Sequence, residues 1–254
     1  MAHVELYALT CGWLTGATNG FLAGEEGRLR VPVPSYLLVH PRGRVVFDSG
    51  LHPLTQTDPA ARIGVKARVF EVEFQPGEEV SGRLASVDVD AAKVDYLINS
   101  HLHFDHTGGN ALLPNATVVV QRREWEAGID DELAAANYYD AHDYRTGQDV
   151  RLVDGEHDLF GDGTIVCLPT FGHTPGHQSL RVQLESGPVI LTGDACYLRH
   201  TLEAMHLPSI VYDEEGMRRS LHALRALRDG GARIFYGHDP EFWAGVPQAP
   251  HAVR

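Results

Sequence analysis

Short apolar runs separated by turn-forming residues recur along the chain and predict strands. Tyr36-Leu37-Leu38-Val39 and Arg44-Val45-Val46-Phe47, joined by Pro41-Arg42-Gly43, predict a β-hairpin within Ser35 to Gly50. A similar arrangement at Ser179 to Asp194 sets Leu180-Arg181-Val182 and Val189-Ile190-Leu191 around Ser186-Gly187-Pro188. Both hairpins run into an aspartate-bearing loop, which points to an internally duplicated, β-rich core. Between them, Val94 to Ile98 and Thr117 to Val120 read as buried strands, and Arg123 to Tyr144 reads as helix interrupted at Gly128.

Toward the C-terminus, Asp213-Glu214-Glu215 predicts an N-cap and an acidic first turn. Met217, Leu221, Leu224 and Leu227 then form one apolar helical face, a core-packing stripe, and Gly230-Gly231 ends the helix. The strand Arg233 to Tyr236 follows and delivers Gly237-His238-Asp239. No Gly-, Ser- or Pro-rich linker divides the chain, so residues 1–254 are expected to form one α+β domain of mixed sheets and helices.

Composition narrows the function. With 34 acidic and 21 basic side chains the formal net charge is −13, which argues against a nucleic-acid partner, because polyanion binding needs clustered Lys and Arg. Cys11, Cys167 and Cys196 are odd in number and lack C-x-x-C spacing, so neither a disulfide framework nor a thiolate zinc knuckle is expected. No basic-then-apolar leader and no bilayer-length apolar run stands out, so a soluble cytoplasmic protein is expected, with no membrane partner. The oddity is 15 histidines, the commonest metal-ligating side chain.

Four ligand-type side chains fall within Ser100-His101-Leu102-His103-Phe104-Asp105-His106, directly after a predicted strand. In extended backbone, residues two apart point the same way, so His101 and His103 can converge on one ion. A turn just beyond would present Asp105 and His106 to a neighbouring one. Further candidates stand in turns or at strand ends: His173 in Gly172-His173-Thr174-Pro175-Gly176-His177, Asp194 in Thr192-Gly193-Asp194-Ala195, and His238. Each of these alone reads as a hydrogen-bonding structural residue. With the first motif they make a set of five His and two Asp.

In order and spacing these motifs resemble those of the metallo-β-lactamase superfamily over nearly the whole chain. The resemblance implies a four-layer αββα sandwich with metals at one edge of two mixed sheets. It implies that His101, His103 and His173 hold one divalent ion and that Asp105, His106 and His238 hold a second. Asp194 would bridge the two, and Asp48 would support the ligand loop. Zinc suits these N and O ligands, which also admit cobalt, manganese or iron.

Within the superfamily, Ser100 to His106, Gly109-Asn110, Gly176-His177-Gln178-Ser179-Leu180 and Tyr197 resemble the N-acyl homoserine lactonases, the quorum-quenching branch. In those enzymes a tyrosine at the position of Tyr197 contacts substrate. Only 16 residues follow His238, too few for the helical extension of glyoxalase II. True β-lactamases of the family are exported and many use a cysteine as a metal ligand, whereas no export signal stands out here and Asp194 is placed where a bridging carboxylate belongs, although Cys196 is nearby; His103 occupies the position that diiron flavoproteins give to an acid. The 4-pyridoxolactonases share the ligand set and stay open as an alternative, with thiolester hydrolysis and a non-catalytic metal module behind them. The resemblance implies hydrolysis of a small lactone by a water activated between the ions. Tyr197 would donate to the carbonyl oxygen, and Asp105 would carry the proton to the leaving ring oxygen. Trp13, Phe21, Phe70 and Phe74 are candidates to line an apolar groove, with Gly64 to Val80 as a lid.

Overall fold

The computed structural model describes residues 3–254. Seven strands build the first sheet: β1 (Glu5–Ala17), β2 (Arg28–His40), β3 (Gly43–Phe47), β4 (Glu71–Glu73), β5 (Tyr96–Ile98), β6 (Thr117–Gln121) and β7 (Val150–Val153). They lie in the order β4-β1-β2-β3-β5-β6-β7. The second sheet holds β8 (His157–Asp158), β9 (Ile165–Pro169), β10 (Gln178–Leu184), β11 (Gly187–Leu191) and β12 (Arg233–Phe235), in the order β12-β11-β10-β9-β8. Both sheets are mixed: β3, β5, β6 and β7 run parallel, as do β11 and β12, and the remaining pairs are antiparallel.

The two hairpins read from the sequence are β2-β3 and β10-β11, one inside each sheet. Their strands read as continuous apolar runs because both faces are covered. Tyr36, Leu38, Val45 and Phe47 face Cys167, Leu180, Val182 and Leu191 across the space between the sheets. Leu37 and Val46, on the opposite face, pack with Leu97, Val118 and Val120 beneath Val80, Leu84 and Ala127. Beyond the second sheet, Met217, Leu221 and Leu224 of the helix Glu214–Asp229 cover Val166, Ile190 and Ile234. The layers are therefore helix, sheet, sheet, helix, the αββα sandwich the resemblance implies.

Local structure departs from the sequence reading in three places. The stretch Arg123 to Tyr144 is three short helices, Arg122–Ile129, Asp131–Ala136 and Ala141–Tyr144. The breaks come at Asp130 and Asp140, whose carboxylates cap the following helices by accepting from Leu133 N and His142 N. Gly128 does not interrupt; it sits inside the first helix, where a Cβ would come within 2.5 Å of Leu102 Cδ1. Asp213 stands at the N-cap of the long helix, but its side chain makes no capping bond there. The segment read as a lid is in part a sheet edge, since β4 pairs with Trp13 to Thr15 of β1.

Candidate metal centre

Every element that carries a predicted site residue ends at the same edge of the sandwich. The parallel pair β3-β5 delivers Asp48 and the His101 to His106 turn, and the parallel pair β11-β12 delivers Asp194 and His238. The connection from β9 to β10 supplies His173.

Two groups of side chains converge there. His101, His103, His173 and Asp194 present ligand atoms within 4.8 Å of one another, and Asp105, His106 and His238 form a second such group. Asp194 lies between them. Its Oδ2 is 3.6 Å from His101 Nε2 and 3.4 Å from His173 Nε2, while its Oδ1 is 3.1 Å from both His106 Nε2 and His238 Nε2. Asp105 Oδ2 lies 3.6 Å from His106 Nε2 and 3.7 Å from His238 Nε2.

The outward nitrogens of these rings determine what the inward ones offer. His103 Nε2 can only donate to the carbonyl of Asn137, at 3.0 Å, and His238 Nδ1 can only donate to the carbonyl of Pro32, at 2.8 Å. His106 Nδ1 donates to Asp48 Oδ2 at 2.9 Å. Ser100 Oγ donates to the same carboxylate oxygen at 2.7 Å and is left to accept from His101 Nδ1 at 2.9 Å. In the neutral rings, His101 Nε2 and His103 Nδ1 are therefore both lone pairs, yet they face each other at 2.8 Å, with His173 Nε2 3.1 Å from His103. His106 Nε2 and Asp194 Oδ1 are buried with no hydrogen-bond partner. Converging buried lone pairs repel unless a cation lies among them, so the donor set fits divalent metal.

Burial and the neighbouring carboxylates act on these rings in opposite directions. Burial pushes His101 and His173 well below the usual imidazole range. Burial also opposes charge on His106, but the carboxylates of Asp194, Asp105 and Asp48 outweigh it and hold that ring well above its ordinary value. Asp194 is itself held well below the carboxylate range, burial notwithstanding, by His106, His238 and His101.

Tyr197 joins the cluster, 8% exposed, with its ring 5.6 Å from that of His173 and 5.4 Å from that of His238. Burial, then the charges of Asp194 and Asp105, push its phenol well above the usual range, so it keeps its proton at neutral pH. Phe21, Phe70 and Phe74 share an apolar cluster with Tyr197 and Phe104. Trp13 does not: it packs against the inter-sheet core and lies under the guanidinium of Arg30.

Several supporting residues escaped the sequence reading. His177, the last residue of the 172 to 177 turn motif, accepts the amide N–H of Asp194 at 3.0 Å, and its Nδ1 meets Thr170 Oγ1 at 2.9 Å. The H-x-x-x-H spacing of 173 to 177 was the available signal. Asn137 and Pro32 carry none, because both act through backbone carbonyls. Asp48 has the predicted supporting place, with its backbone at φ 56°.

A family model described as the metallo-beta-lactamase superfamily matches residues 28–238. The chain is 34% identical over 259 aligned residues, covering 98% of each protein, to "N-acyl homoserine lactonase AttM" of Azorhizobium caulinodans. It is 30% identical over 217 residues, 84% of this chain and 83% of the relative, to "N-acyl homoserine lactonase AiiA" of Bacillus thuringiensis subsp. kurstaki. Among solved structures, an N-acyl homoserine lactone hydrolase with the product N-hexanoyl-L-homoserine bound at its catalytic metal centre superposes with a TM-score of 0.89 at 27% identity, over 100% of both chains.

Proposed function

The chain belongs to the metallo-beta-lactamase superfamily, and on that premise we propose that it opens the lactone ring of N-acyl homoserine lactones by metal-dependent hydrolysis. The observation that carries the reading is the full-length similarity to a hydrolase that holds N-hexanoyl-L-homoserine at its metal centre. The whole chain serves this reaction as one unit, since residues of both sheets supply the site.

In this reading His101, His103, His173 and Asp194 would hold one divalent ion, Asp105, His106 and His238 would hold the other, and Asp194, whose two oxygens lie near histidines of both groups, would serve both. Imidazole and carboxylate donors favour zinc. When bound, the two ions supply Lewis acidity for the lactone carbonyl and lower the pKa of water. The protein's own groups do the remainder. Tyr197, kept neutral, donates its O–H to the carbonyl oxygen as charge develops there. Asp105 takes a proton from the attacking water and delivers it to the ring oxygen as the acyl C–O bond breaks. Phe21, Phe70 and Phe104, clustered beside Tyr197, offer apolar surface to the acyl chain. The product is a hydroxy acid, and at neutral pH each turnover releases one proton.

Among the described residues no helix is long and apolar enough to cross a membrane. The three cysteines are buried and unpaired, which supports a reducing, cytoplasmic location.

A pH-indicator assay tests the substrate, with short- and long-chain acyl homoserine lactones, 4-pyridoxolactone, a glutathione thiolester and a β-lactam compared side by side. The acyl homoserine lactones are expected to be turned over at least tenfold more efficiently, about 1.4 kcal/mol in transition-state binding. Preference for 4-pyridoxolactone would leave the metal chemistry standing and overturn the substrate.

A further inference from the structure

Glu124, on the helix Arg122–Ile129, is fully buried, and every group bonded to its carboxylate is a neutral donor. Oε1 accepts from Leu102 N at 3.0 Å and from Tyr139 Oη at 2.6 Å. Oε2 accepts from Thr174 Oγ1 at 2.9 Å and from Gly176 N at 2.8 Å. Leu102 lies between His101 and His103, and Thr174 follows His173. One planar group thus joins two loops about 70 residues apart in sequence, a separation that carries no local constraint of its own.

We propose that Glu124 is the positioning residue for one of the two metal sites, setting the spacing between the turn that carries His101 and His103 and the turn that carries His173. This rests on the dinuclear reading above. Three further observations support it. The approach of the second turn to the helix is close enough that a Cβ on Gly176 would come within 2.3 Å of Glu124 N, so the contact is built into the backbone. Tyr139, which donates to Glu124, lies with its ring 5.6 Å from that of His103, and Asn137 of the same segment receives the N–H of that histidine. The histidines of the other group have supports that Glu124 does not touch: Asp48 accepts from His106 Nδ1, reaching His101 as well through Ser100 Oγ, and the Pro32 carbonyl accepts from His238 Nδ1. Loss of Glu124 should therefore affect the two ions unequally.

Glu124→Gln keeps the shape and reverses half of the chemistry. Whichever way the amide turns, its NH₂ meets one backbone N–H, of Leu102 or of Gly176, that cannot rotate away. Thr174→Val is the milder companion, removing one hydroxyl donor while preserving volume. The measurement is a cobalt(II) titration of metal-free protein against a competing chelator, followed by absorbance. His103→Ala serves as the spectral marker for the first site, and thermal unfolding of each metal-free variant serves as the check on folding. We expect Glu124→Gln to weaken one ion roughly 10- to 100-fold, the range for groups that orient ligands from behind. It should be the same ion that His103→Ala loses, with the second ion unchanged, and Thr174→Val should shift in the same direction by less. Equal weakening of both ions, or no change in either, would overturn the positioning role. A wild-type protein that takes up no cobalt would instead overturn the dinuclear reading on which it rests.

Discussion

Tyr197 lies between His173 and His238 with a phenol that burial and two carboxylates keep protonated, so its proposed contribution is a single neutral hydrogen-bond donor. Tyr197→Phe should retain both metals and lose activity by roughly tenfold to a thousandfold, as when one donor to a developing oxyanion is removed; unchanged lactone turnover would reduce the residue to packing. The ligand assignment makes a different prediction. His106→Ala and Asp194→Ala each remove a buried donor from the converging set, so metal content and activity should fall together. His222, exposed on the long helix, should tolerate the same change. Equal loss from all three would mean that general instability was being measured.

The elements were legible where the signal is local. Contiguous apolar runs marked both hairpins, and four ligand-type residues within one turn marked the centre. The first strand, Glu5–Ala17, and the edge strand Glu71–Glu73 went unread because their pairing partners, rather than their own pattern, make them strands. The capping aspartates 130 and 140 were present in the sequence, but helix propensity across the region hid the breaks they make. The supporting groups were out of reach for a physical reason: the Pro32 carbonyl meets His238 only after the two sheets have packed. A comparable long-range contact gives a test of pH dependence. Asp162, in the loop before β9, accepts from Thr164, Arg42 and His40 and so ties the second sheet to the β2-β3 hairpin. The Thr164 hydroxyl above all, with Arg42 and His40, holds its carboxyl well below the usual range. A pKa depressed by folding stabilises fully above the unfolded value of about 3.9 and loses that contribution as pH falls through the folded one. Asp162→Asn should accordingly lower the melting temperature at pH 7, with the gap to wild type narrowing in thermal scans below about pH 4. A gap independent of pH would show that shape, not charge, holds the loop.

In the molecule as a whole, two hairpin-centred sheets stack so that loops from both meet at one edge, and the seven proposed ligands come from strands that no single sheet contains. That arrangement buries converging lone pairs that divalent cations would reconcile, and it places an apolar cluster with Tyr197 beside them. The function proposed for this edge is that of a dinuclear hydrolytic centre. Elemental analysis of protein purified without chelator, on a preparation shown to open N-hexanoyl homoserine lactone, tests it most directly. The donor set predicts about two divalent ions per chain, because seven ligands exceed what one tetrahedral ion can use. A stoichiometry near zero in fully active protein would contradict it.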